Sequence, residues 1–202
     1  MRISYGKNVY GKDEINAVVK QLKKTTQMGL SVHTFEKKVS RNFGKKYGLM
    51  VNSGSSAIIL ALEVINLKKG DEVIIPCLNF GTALSALIKL ELTPILVDID
   101  IETLQIDINK IENAISKKTK ALMIPNLIGN TPDWIKINKI AKKYKLKIIE
   151  DSADTLGATI NKKPTGVFSD ISITSFYGSH LISCGGNGGI MMTNKKEYFL
   201  KA

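Results

Sequence analysis

From Gly48 to Thr193 the chain repeats one pattern: a short apolar run, a break, then a segment with helical periodicity. The apolar runs lie at 48–51, 73–75, 95–98, 121–125, 147–150, 171–175 and 190–193. The helix-period segments lie at 55–66, 81–90, 108–115 and 134–145. A strand that is apolar at successive positions has both faces covered. Strands separated by helices join as crossovers and so run parallel. Together these constraints predict an α/β domain, a mostly parallel mixed sheet between helical layers. No helix separates 171–175 from 190–193, so the last strand is expected to be antiparallel. The closing NKKEYFLKA reads as the start of a further helix.

Before this pattern come two amphipathic stretches. Ile15, Val18, Val19 and Leu22 share one face of a helix predicted over 12–26. Phe35, Val39 and Phe43 share one face of a second, predicted over 33–47. His33 reads as a surface residue at a helix start. The expected division is therefore an N-terminal helical segment, 1–47, followed by the α/β domain, 48–202.

Charge suggests a different function and composition argues against it. The net charge is +11, but only two of the 29 basic residues, Arg2 and Arg41, are arginines. Base readout favours arginine forks, and no basic–aromatic interleaving of the single-strand-binding kind is present. The scattered lysines read as a solvated surface, with a general attraction for anions such as phosphorylated substrates. The longest apolar stretch, Ala57 to Ile65, is too short to span a bilayer and contains Glu63. No apolar leader stands at the N-terminus, and Cys77 and Cys184 form neither a disulfide framework nor a four-ligand metal cluster. The expectation is a cytoplasmic protein that binds neither nucleic acid nor membrane and holds no metal.

Four places carry chemistry, and each has a plainer alternative. Gly54, Ser55 and Ser56 follow the first strand and open a helix, where free N–H groups and hydroxyls bind phosphate; the same residues suit an N-cap and a tight turn. Phe80 follows the second strand, where a ring can cover a flat ligand or pack into a core. Asp151 ends an apolar strand, where a carboxylate can bond a protonated ring nitrogen or cap a loop. Ser175 ends another strand. His180 follows five residues later, suited to moving protons, although a lone histidine is more often structural. The glycines of CGGNGG then allow a tight turn and close backbone approach. His180 and Cys184 are four residues apart but have no further metal ligands with them.

The order and spacing of these signals resemble the DegT/DnrJ/EryC1/StrS family of sugar aminotransferases and dehydratases. The resemblance runs from YGKDEINAVV through FEKKV, VNSGSSA, GDEVIIP, TPILVDID and IGN to EDSADTLGA, SFYGSH and GGNGG. It implies the three-layer large domain of a pyridoxal-phosphate-dependent transferase, with the small C-terminal domain absent from this chain. It implies that Gly54, Ser55, Ser56 and Ser175 hold the cofactor phosphate. By the same resemblance Phe80 stacks on the cofactor ring, Asp151 pairs with its pyridinium nitrogen and Asp154 lies beside it. His180 stands where the aminotransferases carry the lysine that forms the Schiff base. Histidine cannot form that imine, which places the chain in the 3-dehydratase branch, with His180 as the proton-moving residue. Within that branch, iron–sulfur enzymes have a cysteine where this chain has Ala153, so no cluster is expected. The implied cofactors are pyridoxal and pyridoxamine phosphate. The implied partners are a nucleotide-linked 4-keto sugar, L-glutamate as amino donor and, in full-length members, a second copy of the chain. The alternatives are an aminotransferase that uses another lysine (Lys162, Lys163 or Lys195) and an inactive truncated fragment.

Overall fold

In a computed structural model the described residues are 9–202. The chain runs α1 (Lys12–Lys24), α2 (Leu30–Asn42), β1 (Tyr47–Val51), α3 (Gly54–Val64), β2 (Glu72–Pro76), α4 (Gly81–Lys89), β3 (Thr93–Val97) and α5 (Ile108–Ile111). It continues β4 (Thr119–Pro125), α6 (Trp134–Tyr144), β5 (Lys147–Asp151), β6 (Thr159–Ile160), β7 (Lys163–Pro164), β8 (Ile171–Ser175), β9 (Gly189–Thr193) and α7 (Lys196–Lys201).

All seven predicted strands form one sheet, in the order β1-β9-β8-β5-β4-β2-β3. As expected, β9 is antiparallel to its neighbours, β8 and β1. The remaining pairs are parallel. Neighbouring residues of β5 pack on opposite sides: Ile149 joins a core with α3 and α4, and Ile148 joins one with α6. The sheet is thus the middle of three layers. α2 covers its far end through Val39 and Phe43, which pack with Phe176, Ile190 and Met192.

Several boundaries differ from the sequence expectation for local reasons. α2 starts three residues earlier, at Leu30, and stops at Asn42. The chain then turns at Gly44, whose φ of 65° is left-handed, and Tyr47 is already in β1. α5 is a single turn followed by a 3-10 turn over Glu112–Ala114. Ser116 donates its N–H to Thr119 Oγ1 (2.9 Å) and steers the chain into β4 before the helix can continue. The β6–β7 hairpin, only two residues per strand, gave no periodic signal. α1 buries none of its residues, although its apolar stripe is as predicted. No helix among the described residues is long and apolar enough to cross a membrane.

Candidate active site

The carboxyl ends of β1, β2, β4, β5 and β8 open on one cavity of about 590 Å³. In parallel sheets this edge collects the loops free to carry chemistry. The sequence-predicted residues Gly54, Ser55, Phe80, Asp151, Asp154, Ser175 and His180 all line it. Ser56 does not: it faces back into its own helix turn.

At one end lies the start of α3. Ser53 caps the helix, its Oγ accepting the Ser56 N–H at 3.1 Å, and the two hydroxyls lie 3.1 Å apart. Helix geometry leaves the Gly54 and Ser55 N–H groups without intrahelical acceptors. Ser175, at the end of β8, packs directly on Gly54: a Cβ added at Gly54 would lie 2.7 Å from Ser175 Cβ. Ser175 Oγ accepts the Tyr177 N–H at 3.3 Å. Open N–H groups, the Ser55 and Ser175 hydroxyls and the helix dipole thus meet at the cavity, an arrangement suited to an anion.

Asp151, at the end of β5, lines the same cavity and is buried. Its Oδ1 accepts the Ala153 N–H at 3.0 Å, and no cation among the described residues pairs with it. Burial pushes its carboxyl up to about 6, partly opposed by the Ala153 bond and reinforced by the nearby Asp154 and Glu150. A protonated ring nitrogen would relieve this burial cost.

His180 also lines the cavity, from the loop after β8. Its N–H donates to the Tyr177 carbonyl (2.9 Å), and the two rings meet edge-on. Its Nε2 is 3.9 Å from Asp154 Oδ1, and its Nδ1 is buried with no partner. Phe80, the N-cap residue of α4, leaves 70% of its surface exposed at the cavity. A large ring left in solvent at a cavity wall is suited to covering a flat ligand.

Sequence reasoning passed over Asn126, at the end of β4. Its N–H bonds the Asp151 carbonyl (2.8 Å), and its Nδ2 donates to Glu150 Oε1 (3.0 Å) and Ser152 Oγ (2.7 Å). Its Oδ1 accepts the Trp134 indole N–H at 2.8 Å. Glu150 also accepts from Ser172 (2.6 Å), and Lys45 lies beyond it on Ser169. This buried network fixes the floor under Asp151. The signal that singled out Asp151, a polar residue closing an apolar strand, was equally present at Asn126. The lysines weighed as imine formers lie elsewhere: Lys195 pairs with Asp170 at 2.8 Å, Lys162 and Lys163 belong to the β6–β7 hairpin, and none lines the cavity. Among the described residues, no His/Cys/Asp/Glu group is arranged to hold a metal ion.

A three-layer α/β domain with this strand order, and with its cavity at the strands' carboxyl edge, is the large domain of the aminotransferase fold. The chain belongs to the DegT/DnrJ/EryC1/StrS aminotransferase family, whose sequence profile matches residues 9–202. It is 34% identical over 200 residues to a GDP-4-keto-6-deoxy-D-mannose 3-dehydratase of Yersinia pseudotuberculosis, covering 95% of this chain and 50% of that protein. It is 37% identical over 171 residues to a GDP-perosamine synthase of Escherichia coli O157:H7, covering 85% and 47%. Among solved structures, the E. coli GDP-4-keto-6-deoxy-D-mannose-3-dehydratase with bound hydrated PLP superposes with a TM-score of 0.91 at 34% identity, covering 96% of this chain and 52% of that one. The chain therefore spans about half the length of the relatives it matches.

Proposed function

We propose that this chain forms the cofactor site of a cytoplasmic enzyme that uses pyridoxal and pyridoxamine phosphate to remove the C3 hydroxyl of a nucleotide-linked 4-keto-6-deoxy sugar. The observation that carries this reading is that His180 and Asp151 line the same cavity, with no lysine on the cavity wall among the described residues. An aminotransferase needs that lysine for its imine; a dehydratase needs a base that stays free. The bound PLP of the dehydratase structure and the names of the relatives support the same class. The free thiols of Cys77 and Cys184 suit a reducing compartment.

The residues present fit the cofactor. The N–H groups of Gly54 and Ser55, with the Ser55 and Ser175 hydroxyls, would hold its phosphate; Ser56 would act from behind, through the Ser53 cap. Asp151, buried and without a cation, would hold a proton at the ring nitrogen. Phe80 would cover the ring face. Residues 48–202 then act as the cofactor-binding part of the large domain.

When bound, pyridoxamine phosphate supplies an amine for the sugar ketone and a ring that accepts electrons. His180 Nε2 is the ring nitrogen open to the cavity, since Nδ1 is buried. It would take up a proton released in the cavity and return it to the departing hydroxyl, which leaves as water. Asp151 would hold negative charge toward the ring nitrogen, and Phe80 would exclude water from one side. The test is to supply the chain with pyridoxamine phosphate, L-glutamate and GDP-4-keto-6-deoxymannose. Loss of the C3 hydroxyl by NMR supports the dehydratase reading. A 4-amino sugar that keeps its C3 hydroxyl would overturn it in favour of transamination.

A further inference from the structure

Asp151, Asp154 and His180 share the cavity wall. The function above uses the first and the last and leaves Asp154 without a task of its own. Its position is built with some effort. Ile128, a β-branched residue, stands at φ 53° and ψ 30°, a left-handed conformation that such side chains avoid. In this turn the Ile128 N–H donates to Asp154 Oδ2 at 3.3 Å. The turn is pinned by Gln105 Nε2 on the Leu127 carbonyl (3.1 Å) and by the Thr155 hydroxyl on the Asn126 carbonyl (2.9 Å). Strain that persists in this way is over-determined by its surroundings and concentrates at functional sites.

The consequence falls on the other carboxylate oxygen. With Oδ2 held, Oδ1 lies 3.9 Å from His180 Nε2. That is too long for a hydrogen bond and close enough for a charge to be felt. With Nε2 free to take a proton, the neutral ring carries its hydrogen on Nδ1, which is buried with no acceptor and so gives the charged ring no hydrogen bond to stabilise it. The Asp154 carboxylate supplies that stabilisation from the Nε2 side. We propose that Asp154 is the positioning residue for His180: it stabilises the imidazolium once Nε2 has taken a proton, and it stands too far away to occupy Nε2 in the neutral state. The proposal deepens the reading of His180 as a proton carrier, but its test does not depend on the cofactor. The other titratable groups lining this cavity are Asp151 from β5 and Tyr177, whose ring centroid is 5.8 Å from that of the imidazole.

The chain has two histidines, His33 and His180, so proton NMR can follow both ring titrations in the cofactor-free protein. His180→Asn assigns the signals. His33, bonded to Glu36 at 3.0 Å on α2, reports an intact fold. Asp154→Asn is expected to move the His180 signal's response to lower pH and leave that of His33 in place. Asp154→Glu, which keeps the charge, is expected to restore most of the difference. An unmoved His180 titration would overturn the proposal, and so would a shift of equal size in Asp151→Asn, which would assign the effect to cavity charge in general. If Asp154→Asn does not fold, Asp154→Ser reads the same quantity. Failure of cofactor binding with the Asp154 effect intact would count against the proposed function alone.

Discussion

Gly189 lies directly against the Ser53 carbonyl and the Gly54 N–H: a Cβ built on Gly189 would fall 2.6 Å from Gly54 N and closer still to Ser53 O. Strand β9 thus presses backbone to backbone on the turn that opens α3. Gly189→Ala must push that turn out of place. It is expected to cost about 1–3 kcal/mol in chemical denaturation and to weaken phosphate-ligand binding. Gly186→Ala, with nothing within 4 Å of the new carbon, is the control and should stay within about 0.5 kcal/mol. Equal effects of the two changes would contradict this close packing.

Asp151 gives a pH signature. Its carboxyl is pushed up to about 6 by burial, so in the folded chain it binds a proton that the unfolded chain has already released. The ionised form is therefore a cost, absent below about pH 4 and fully present above about pH 6. Asp151→Asn removes it. The cofactor-free variant should be more stable than the parent by on the order of 2 kcal/mol at pH 7, with the gain vanishing near pH 4. Urea midpoints at the two pH values measure this. A gain that did not change with pH would exclude a titrating Asp151.

Asn126 holds three buried partners at once: the Trp134 indole, Glu150 and Ser152. Asn126→Ala strands them, and the expected cost is about 2–4 kcal/mol. Trp134 is the only tryptophan, so its fluorescence follows unfolding directly. A cost under about 0.5 kcal/mol would mean that the network contributes nothing to the floor of the site.

Ile128 is left-handed and 64% exposed, so little burial is lost on replacing it. Ile128→Asn keeps the N–H that Asp154 accepts and tolerates this backbone better. Thermal unfolding should show a gain of up to about 1 kcal/mol. Destabilisation would mean that the isoleucine side chain itself supports the turn.

The layered fold was readable in the sequence because burial leaves a periodic trace: a short apolar run such as 121–125, alternating along the chain with helix-period segments, reads as an interior strand. Asp151 stood out because a polar residue at a strand's carboxyl end breaks that trace, and His180 because it follows such an end and is one of only two histidines. The Asn126–Glu150–Ser172 network and the left-handed Ile128 did not stand out. Hydrogen bonds between residues 22 to 24 positions apart have no period, and an isoleucine in a loop carries no mark of its φ angle. The choice of phosphate or N-cap at the start of α3 also lay beyond sequence. There the structure gives the cap to Ser53 and leaves Gly54 and Ser55 open to the cavity.

The most direct measurement is an absorbance spectrum of the chain with pyridoxal phosphate, before and after L-glutamate, followed by borohydride. The expected result is a perturbed cofactor spectrum, conversion of the aldehyde band to the pyridoxamine band faster than in a protein-free control, and no cofactor trapped on a lysine. An unperturbed spectrum would contradict a cofactor site built from Gly54, Ser55, Asp151 and Ser175. A stoichiometric lysine adduct would contradict the role given to His180.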